Sequence, residues 1–298
     1  TFAPSPSLPG QAGSGVRAPP GRFAPSPSLA GHAGSGVMAP PGRFTQGPAL
    51  AGQAGSGVVP FRSTGNWNRL SHAPSSFSTS FVKQRSHNRE VAGNVRSRIR
   101  NNRPGLFHSF NDQFFHDHHF HPRNFFPGAN WWCSAGWSGV DSWLGWGWSY
   151  PYYYDESGDV YPDTTYETSP EAYSVQEVPG EAVVSNQQAI QGDWLSLGVF
   201  ALGQNATDAT YSNIIMQLAL NRQGQISGTY YNSATDQTYE VEGVVDRNTQ
   251  EAQWSVTGNS SAPTMSTGIY NLTQDMTNVQ VQFPDGTLQN WVLVRLNS

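Results

Sequence analysis

Between residues 191 and 298 the chain alternates apolar and polar side chains in eight short runs, and no other feature limits its fold as tightly. The runs span 193–202, 212–221, 224–232, 237–246, 250–257, 264–273, 278–283 and 287–296. A period of two places successive side chains on opposite faces of an extended strand, so each run reads as a strand with one buried and one solvated face. In the second run Ile214, Met216, Leu218 and Leu220 share a face; in the fourth, Tyr239, Val241, Gly243 and Val245 oppose Glu240, Glu242 and Asp246. Turn residues (Gln223-Gly224, Asn248, Asp285-Gly286) separate neighbouring runs, and short connections pair consecutive strands antiparallel. Eight strands within about 105 residues favour a closed barrel over a flat sheet, because closure removes exposed edges. The expected fold is mainly β: a C-terminal eight-stranded antiparallel up-and-down β-barrel over 191–298, with residues 188–298 expected to fold alone, preceded by a disordered Gly/Pro/Ala repeat region and an irregular aromatic-rich module.

The opening of the chain is of another kind. A 21-residue unit runs Phe2 to Arg22, repeats from Phe23 to Arg43 and degenerates after Phe44; of the first 62 residues 12 are Gly, 11 Pro, 10 Ala and 7 Ser. Each unit holds too few large side chains to offset the entropy of ordering, so residues 1–82 read as a low-complexity spacer. The repeated Gly-Ser-Gly-Val fragments lack the flanking strand and helix that aim backbone amides at a phosphate. Residues 1–130 hold 13 basic and 3 acidic side chains, and residues 131–298 hold 3 basic and 18 acidic ones. A basic arm therefore precedes an acidic body.

Within that arm, residues 83–104 form a basic amphipathic segment. Asn88 is placed to cap a short helix whose Val91, Val95 and Ile99 make one stripe, with Arg89, Arg96, Arg98 and Arg100 largely off it, and Pro104-Gly105 stops it. Together with Arg103 these arginines are the candidate polyanion contacts; docking of the stripe on the chain's own domain, with the guanidinium groups solvated, is the simpler reading. Residues 105–154 collect 7 Phe, 6 Trp and 4 Tyr, an aromatic and histidine-rich module too apolar to stay wet. Residues 155–190 carry eight acids and no base and read as an acidic linker; Asp155, Asp159 and Asp163 lack the ligand spacing of an EF-hand loop.

Two resemblances follow from the words of the sequence. SWLGWGWSYPYYYDESGDVYPDTTY (142–166), then DWLSLGVFAL, QLALNRQGQISGTYY, STGIYNLTQD and QNWVLVRL, resembles the carboxy-terminal region of mu-protocadherin-like cell-surface proteins of planctomycete-type bacteria, over about residues 89–298. The resemblance implies an exported, surface-located protein of unassigned biochemistry; no cadherin calcium motif accompanies it. GQISGTYYNSA (224–234), VEGVVD, AQWSV, STGIY and QNWVL are similar in strand rhythm to avidin-type barrels, which would place Tyr230, Trp254 and Trp291 where that family has biotin-contacting aromatics. The first strand, WLSLGVFAL, lacks the polar residues that such a ligand needs, so the resemblance implies shared architecture with a filled interior.

The remaining chemistry is sparse. His116, His118, His119 and His121, with His108 nearby, are the candidate metal ligands, read more simply as surface histidines. Cys133 is the single cysteine, which rules out an intramolecular disulfide, and residues 191–298 contain neither His nor Cys to serve as an acid or base at neutral pH. Asn205, Asn259 and Asn271 open N-x-S/T triplets, read as chance occurrences. No run approaches the roughly 18 apolar residues of a membrane helix. The sequence opens on Thr1, so the amino terminus is read as processed or incomplete and the lack of a signal peptide carries no information on export. The expectation is a non-enzymatic, exported cell-surface or envelope-associated protein without a cofactor. Its partners would be envelope polysaccharide or another surface protein; nucleic acid is not expected. The alternatives are a small-ligand or glycan-binding barrel, through Tyr230, Trp254 and Trp291, and polyanion binding through the Arg-rich segment.

Overall fold

In a computed structural model, residue 67 and residues 77–164, 188–258 and 261–297 are described. Most of the repeat spacer, the acidic stretch 165–187 and Asn259 lie outside the described residues. Helices α1 (Phe77–Asn102), α2 (Asp112–Asp117) and α3 (Trp137–Leu144) come first, followed by a hairpin of β1 (Tyr152–Tyr154) and β2 (Val160–Pro162) and a two-residue strand β3 (Ile190–Gln191). The eight expected strands follow as β4 (Trp194–Gly203), β5 (Ile214–Asn221), β6 (Gln225–Asn232), β7 (Gln237–Val245), β8 (Glu251–Val256), β9 (Thr264–Gly268), β10 (Met276–Gln282) and β11 (Leu288–Arg295), with α4 (Ala206–Tyr211) in the β4–β5 connection. Each pairs antiparallel with the next, and β11 returns to β4 through Val292–Gly203, Leu293–Leu202, Val294–Ala201 and Arg295–Phe200. The sheet is thus a closed up-and-down barrel. The run expected at 264–273 is shorter as a strand, because the chain turns into a 3-10 helix at Asn271–Thr273.

One face of every strand fills the barrel. Leu195, Leu197, Phe200, Leu202, Met216, Leu218, Leu220, Ile226, Val241, Val245, Ala252, Trp254, Met265, Val279, Val281 and Leu293 are buried in one cluster. On β4 the inward positions change parity, Leu195 and Leu197 then Phe200 and Leu202, because the register with β5 shifts between Ser196 and Gly198. Gly198 sits at φ 119 in that bulge, a backbone conformation that a Cβ would strain. Glycine is needed again at Gly243, where an added Cβ would stand 2.2 Å from the Gln253 carbonyl oxygen and 2.6 Å from Trp254 Cβ.

The other face departs from the simple alternation. Val199, Ala201, Ile215, Ala219 and Val294 point away from the interior yet are fully buried, in a second cluster with Ala92, Val95 and Ile99 of α1 and with Phe110, Phe114, Phe115 and Trp131 of the aromatic segment. The wall formed by β11, β4 and β5 is therefore covered on both sides, which is why these strands read as near-continuous apolar text. The helix that covers it is longer than the sequence suggested. Asn88 is not its cap; it lies mid-helix and its Nδ2 donates to the Met276 carbonyl at 3.4 Å, while Phe81 upstream is 2% exposed. Polar residues on the docking face obscured that first half. No helix among the described residues is long and apolar enough to cross a membrane.

The aromatic segment is cladding, and part of it closes one barrel end. Trp143 Nε1 donates to the Leu220 carbonyl at 3.0 Å, Trp148 Nε1 to that of Arg247 at 2.7 Å, and Gln250 Nε2 to that of Tyr150 at 2.8 Å. The β5–β6 and β7–β8 turns are thereby tied to residues 143–150, and Trp137, Val140, Trp143 and Leu144 join the barrel's own core cluster. The boundary drawn at residue 154 falls inside the β1–β2 hairpin, whose Tyr154 is bound on both backbone groups by Asn271 (Tyr154 N to Oδ1 3.0 Å, Nδ2 to Tyr154 O 2.7 Å). Upstream of α1, Trp67 Nε1 donates to Ser266 Oγ at 3.1 Å on the outer wall and meets Tyr154 edge-on.

Candidate functional site

The opposite barrel end is framed by residues 204–213, the turn 233–236, residues 257–258 and 261–263, and the turn 284–287, which lie in the β4–β5, β6–β7, β8–β9 and β10–β11 connections. Here the inward side chains are only partly buried: Ile214, Tyr230, Tyr239, Ala262, Phe283 and Trp291 pack on the core from above. Tyr230 and Tyr239 are cross-strand partners with ring centroids 6.1 Å apart; Phe283 and Trp291 form a second pair at 6.2 Å. Their polar tips bind neighbouring amides, Tyr239 OH donating to Gln237 Oε1 at 3.1 Å and Trp291 Nε1 to Gln289 Oε1 at 2.9 Å. Burial raises the Tyr230 phenol above its ordinary range. The end is an aromatic collar with amides at its rim.

All three aromatics singled out in the sequence lie on the inward face. Tyr230 and Trp291 stand in the collar, whereas Trp254 is 1% exposed inside the core, its indole N–H without an acceptor among the described residues. Sequence reasoning did not select Tyr239 or Phe283. The signal existed for Tyr239, which shares the alternating face with Val241; Phe283 directly follows β10 and its direction depends on the barrel's closure.

The four candidate histidines do not converge. His116 is exposed and pairs with Asp117 at 3.3 Å, and its ring lies 6.4 Å from that of His119. His121 is exposed and rests on Phe125 at 4.7 Å. His118 turns inward: Nδ1 lies 2.7 Å from the Phe114 carbonyl oxygen and Nε2 3.2 Å from Asp236 Oδ1, committing both nitrogens to intramolecular contacts. Among the described residues no three His, Cys, Asp or Glu side chains come together as a metal site. His108 and His118 instead line an open surface groove of about 310 Å³ with Asp117, Phe114 and Tyr231. Tyr231 OH donates to Asp236 Oδ1 at 2.9 Å; burial, then that hydrogen bond, pushes its phenol up to about 12. Hydrogen bonds from Tyr231 and His118 hold the Asp236 carboxyl below its usual range.

The arginines are largely engaged by their own fold. Arg89 and Arg96 meet Asp275 at 3.4 and 2.7 Å, and Arg96 also donates to the Arg295 carbonyl at 3.3 Å. Arg103 donates to the carbonyls of Ser212 and Thr210 at 2.5 and 3.0 Å, and its desolvation lowers its pKa. Arg100 lies over the Phe107 ring at 4.7 Å, and Arg98 is exposed. Cys133 is half-buried, its Sγ takes a hydrogen bond from Asn130 Nδ2 at 3.1 Å, and burial raises its thiol pKa, which disfavours the reactive thiolate.

Fold and collar together define a filled, closed β-barrel with one clad end and one end that is open among the described residues. Comparison of the chain with protein-family profiles, with curated proteins and with solved structures returns no match.

Proposed function

We propose that the chain belongs to a non-enzymatic, exported cell-surface or envelope-associated protein that acts by interaction. The observation that carries this reading is the filled barrel. Its interior is occupied by Leu, Met, Phe, Val and Trp side chains, so a ligand must be met on the outside. The barrel sequence offers no His or Cys for proton transfer or nucleophilic attack, and the described histidines outside it do not gather around a common point. Compartment rests on the resemblance of residues 89–298 to mu-protocadherin-like surface proteins; the Gly/Pro-rich repeats suit a spacer that holds a folded body away from its anchorage. Polyanion binding through 83–104 is disfavoured, because Arg89, Arg96 and Arg103 are held by Asp275 and backbone carbonyls. Envelope polysaccharide or another surface protein is the expected partner. Fractionation of the source cells with an antibody to the barrel should find the protein in the envelope or medium; an entirely cytosolic signal would overturn the reading.

A further inference from the structure

The open end carries one sign of charge as well as its aromatic collar. The described residues 204–213, 233–240, 257–258, 261–263 and 283–290 include the acids Asp208, Asp236, Glu240 and Asp285 and no Lys or Arg. Nearby cations approach from the side and are engaged: Arg103 on the carbonyls of Thr210 and Ser212, Arg123 on Glu242 at 2.6 Å, and His118 on Asp236. A polyanion reaching this surface would meet more carboxylates than cations and be repelled. Otherwise these stretches are rich in Asn, Gln, Ser and Thr, whose amides and hydroxyls both donate and accept hydrogen bonds.

We propose that the open end of the barrel is a docking surface for a neutral polysaccharide, with Tyr230–Tyr239 and Phe283–Trp291 as two stacking platforms. A neutral sugar ring has apolar C–H faces and a girdle of hydroxyls. Flat, partly exposed aromatic rings match the faces, and the amide-rich rim, with Gln237 and Gln289 beside the rings, matches the hydroxyls. A purely apolar partner would leave those rim amides unpaired, at a cost for each group buried. Acidic polysaccharide has the same faces and hydroxyls but the wrong charge. The inference rests on the surface-protein reading only for where such a polymer is met.

Native affinity electrophoresis of the full chain tests it, in gels containing hydroxyethyl cellulose, galactomannan or dextran as neutral polymers and alginate as the acidic one. The expected result is retardation by at least one neutral polymer and none by alginate, with apparent affinity reduced about tenfold or more in Trp291→Ala and in Tyr239→Ala, as for loss of a central aromatic contact. Arg98→Ala should behave as the parent chain. If the alanine variants do not fold, the parent's tryptophan fluorescence decides: a soluble oligosaccharide of the retarding polymer should perturb it saturably. Retardation by no neutral polymer, retardation by alginate alone, undiminished retardation of a folded Trp291→Ala/Tyr239→Ala variant, or an unperturbed fluorescence would each overturn the proposal. An envelope-located protein that no polymer retards would lose the docking surface and keep its compartment. A cytosolic one would lose the compartment whatever the gels show.

Discussion

Gly243 illustrates how closely the barrel wall is fitted. With the Gln253 carbonyl 2.2 Å and Trp254 Cβ 2.6 Å from where its Cβ would stand, neither neighbour can retreat without breaking a strand pair. Gly243→Ala should lower stability by about 1–3 kcal/mol or more, as overpacking does; a urea midpoint equal to the parent's would contradict this packing. Titration gives a second residue-level test. Tyr231, pushed up to about 12 by burial and by its hydrogen bond to Asp236, keeps its proton in the fold at pH values where the unfolded chain has lost it. Its contribution is complete below the ordinary tyrosine range near pH 10 and is lost as pH rises toward about 12. Burial also pushes Tyr153 and Tyr154 well up, so phenolate absorbance should show one late-titrating tyrosine fewer in Tyr231→Phe than in the parent; equal numbers in the two would refute the contact. At this scale the sequence was informative where the period of two held, as on β7, and half-informative on β5, whose outward Ile215 and Ala219 are buried as well. It was silent at the Gly198 bulge, which reverses inward and outward within one strand, and at Asn271, which opens an N-x-T triplet but is itself buried and binds Tyr154.

Among the elements, α1 shows what amphipathic patterning can and cannot reveal. The stripe of Val95 and Ile99 was legible and is buried as expected, but the start of the helix at Phe77 was not, because Asn88, which reads as a cap, lies mid-helix and donates to the Met276 carbonyl, while Arg89 and Arg96, which read as solvated, meet Asp275, far away in sequence. Ile99, 1% exposed between α1 and the outer wall, should cost about 2–5 kcal/mol when truncated to Ala, while exposed Arg98→Ala should change stability by less than about 0.5 kcal/mol. Equal melting temperatures for the two variants would mean that α1 does not dock. The aromatic segment followed the same logic. Its density predicted burial, but its partners, Val199, Ile215 and Val294, sit at positions that strand alternation alone assigns to solvent.

Across the whole molecule, closure of the barrel was readable from eight runs joined by short turns, whereas its integration with residues 77–164 was not, since no local pattern records which wall a distant helix will cover. The candidate site shared this division. Tyr230, Trp254 and Trp291 were singled out by the resemblance to avidin-type strand rhythm, but only the closed barrel separates the buried Trp254 from the half-buried collar. The four histidines were near in sequence and diverge in space, where their partners are Asp117, Asp236 and Phe125. The central claim is that the barrel and its cladding are one cooperative body, with the half-buried aromatic collar at the end opposite the cladding. Scanning calorimetry of the full chain, run beside near- and far-ultraviolet circular dichroism, tests that cooperativity. One transition, with calorimetric and van't Hoff enthalpies in agreement and the aromatic and β signals lost together, is the predicted result; two transitions, with the aromatic signal melting before the β signal, would contradict it.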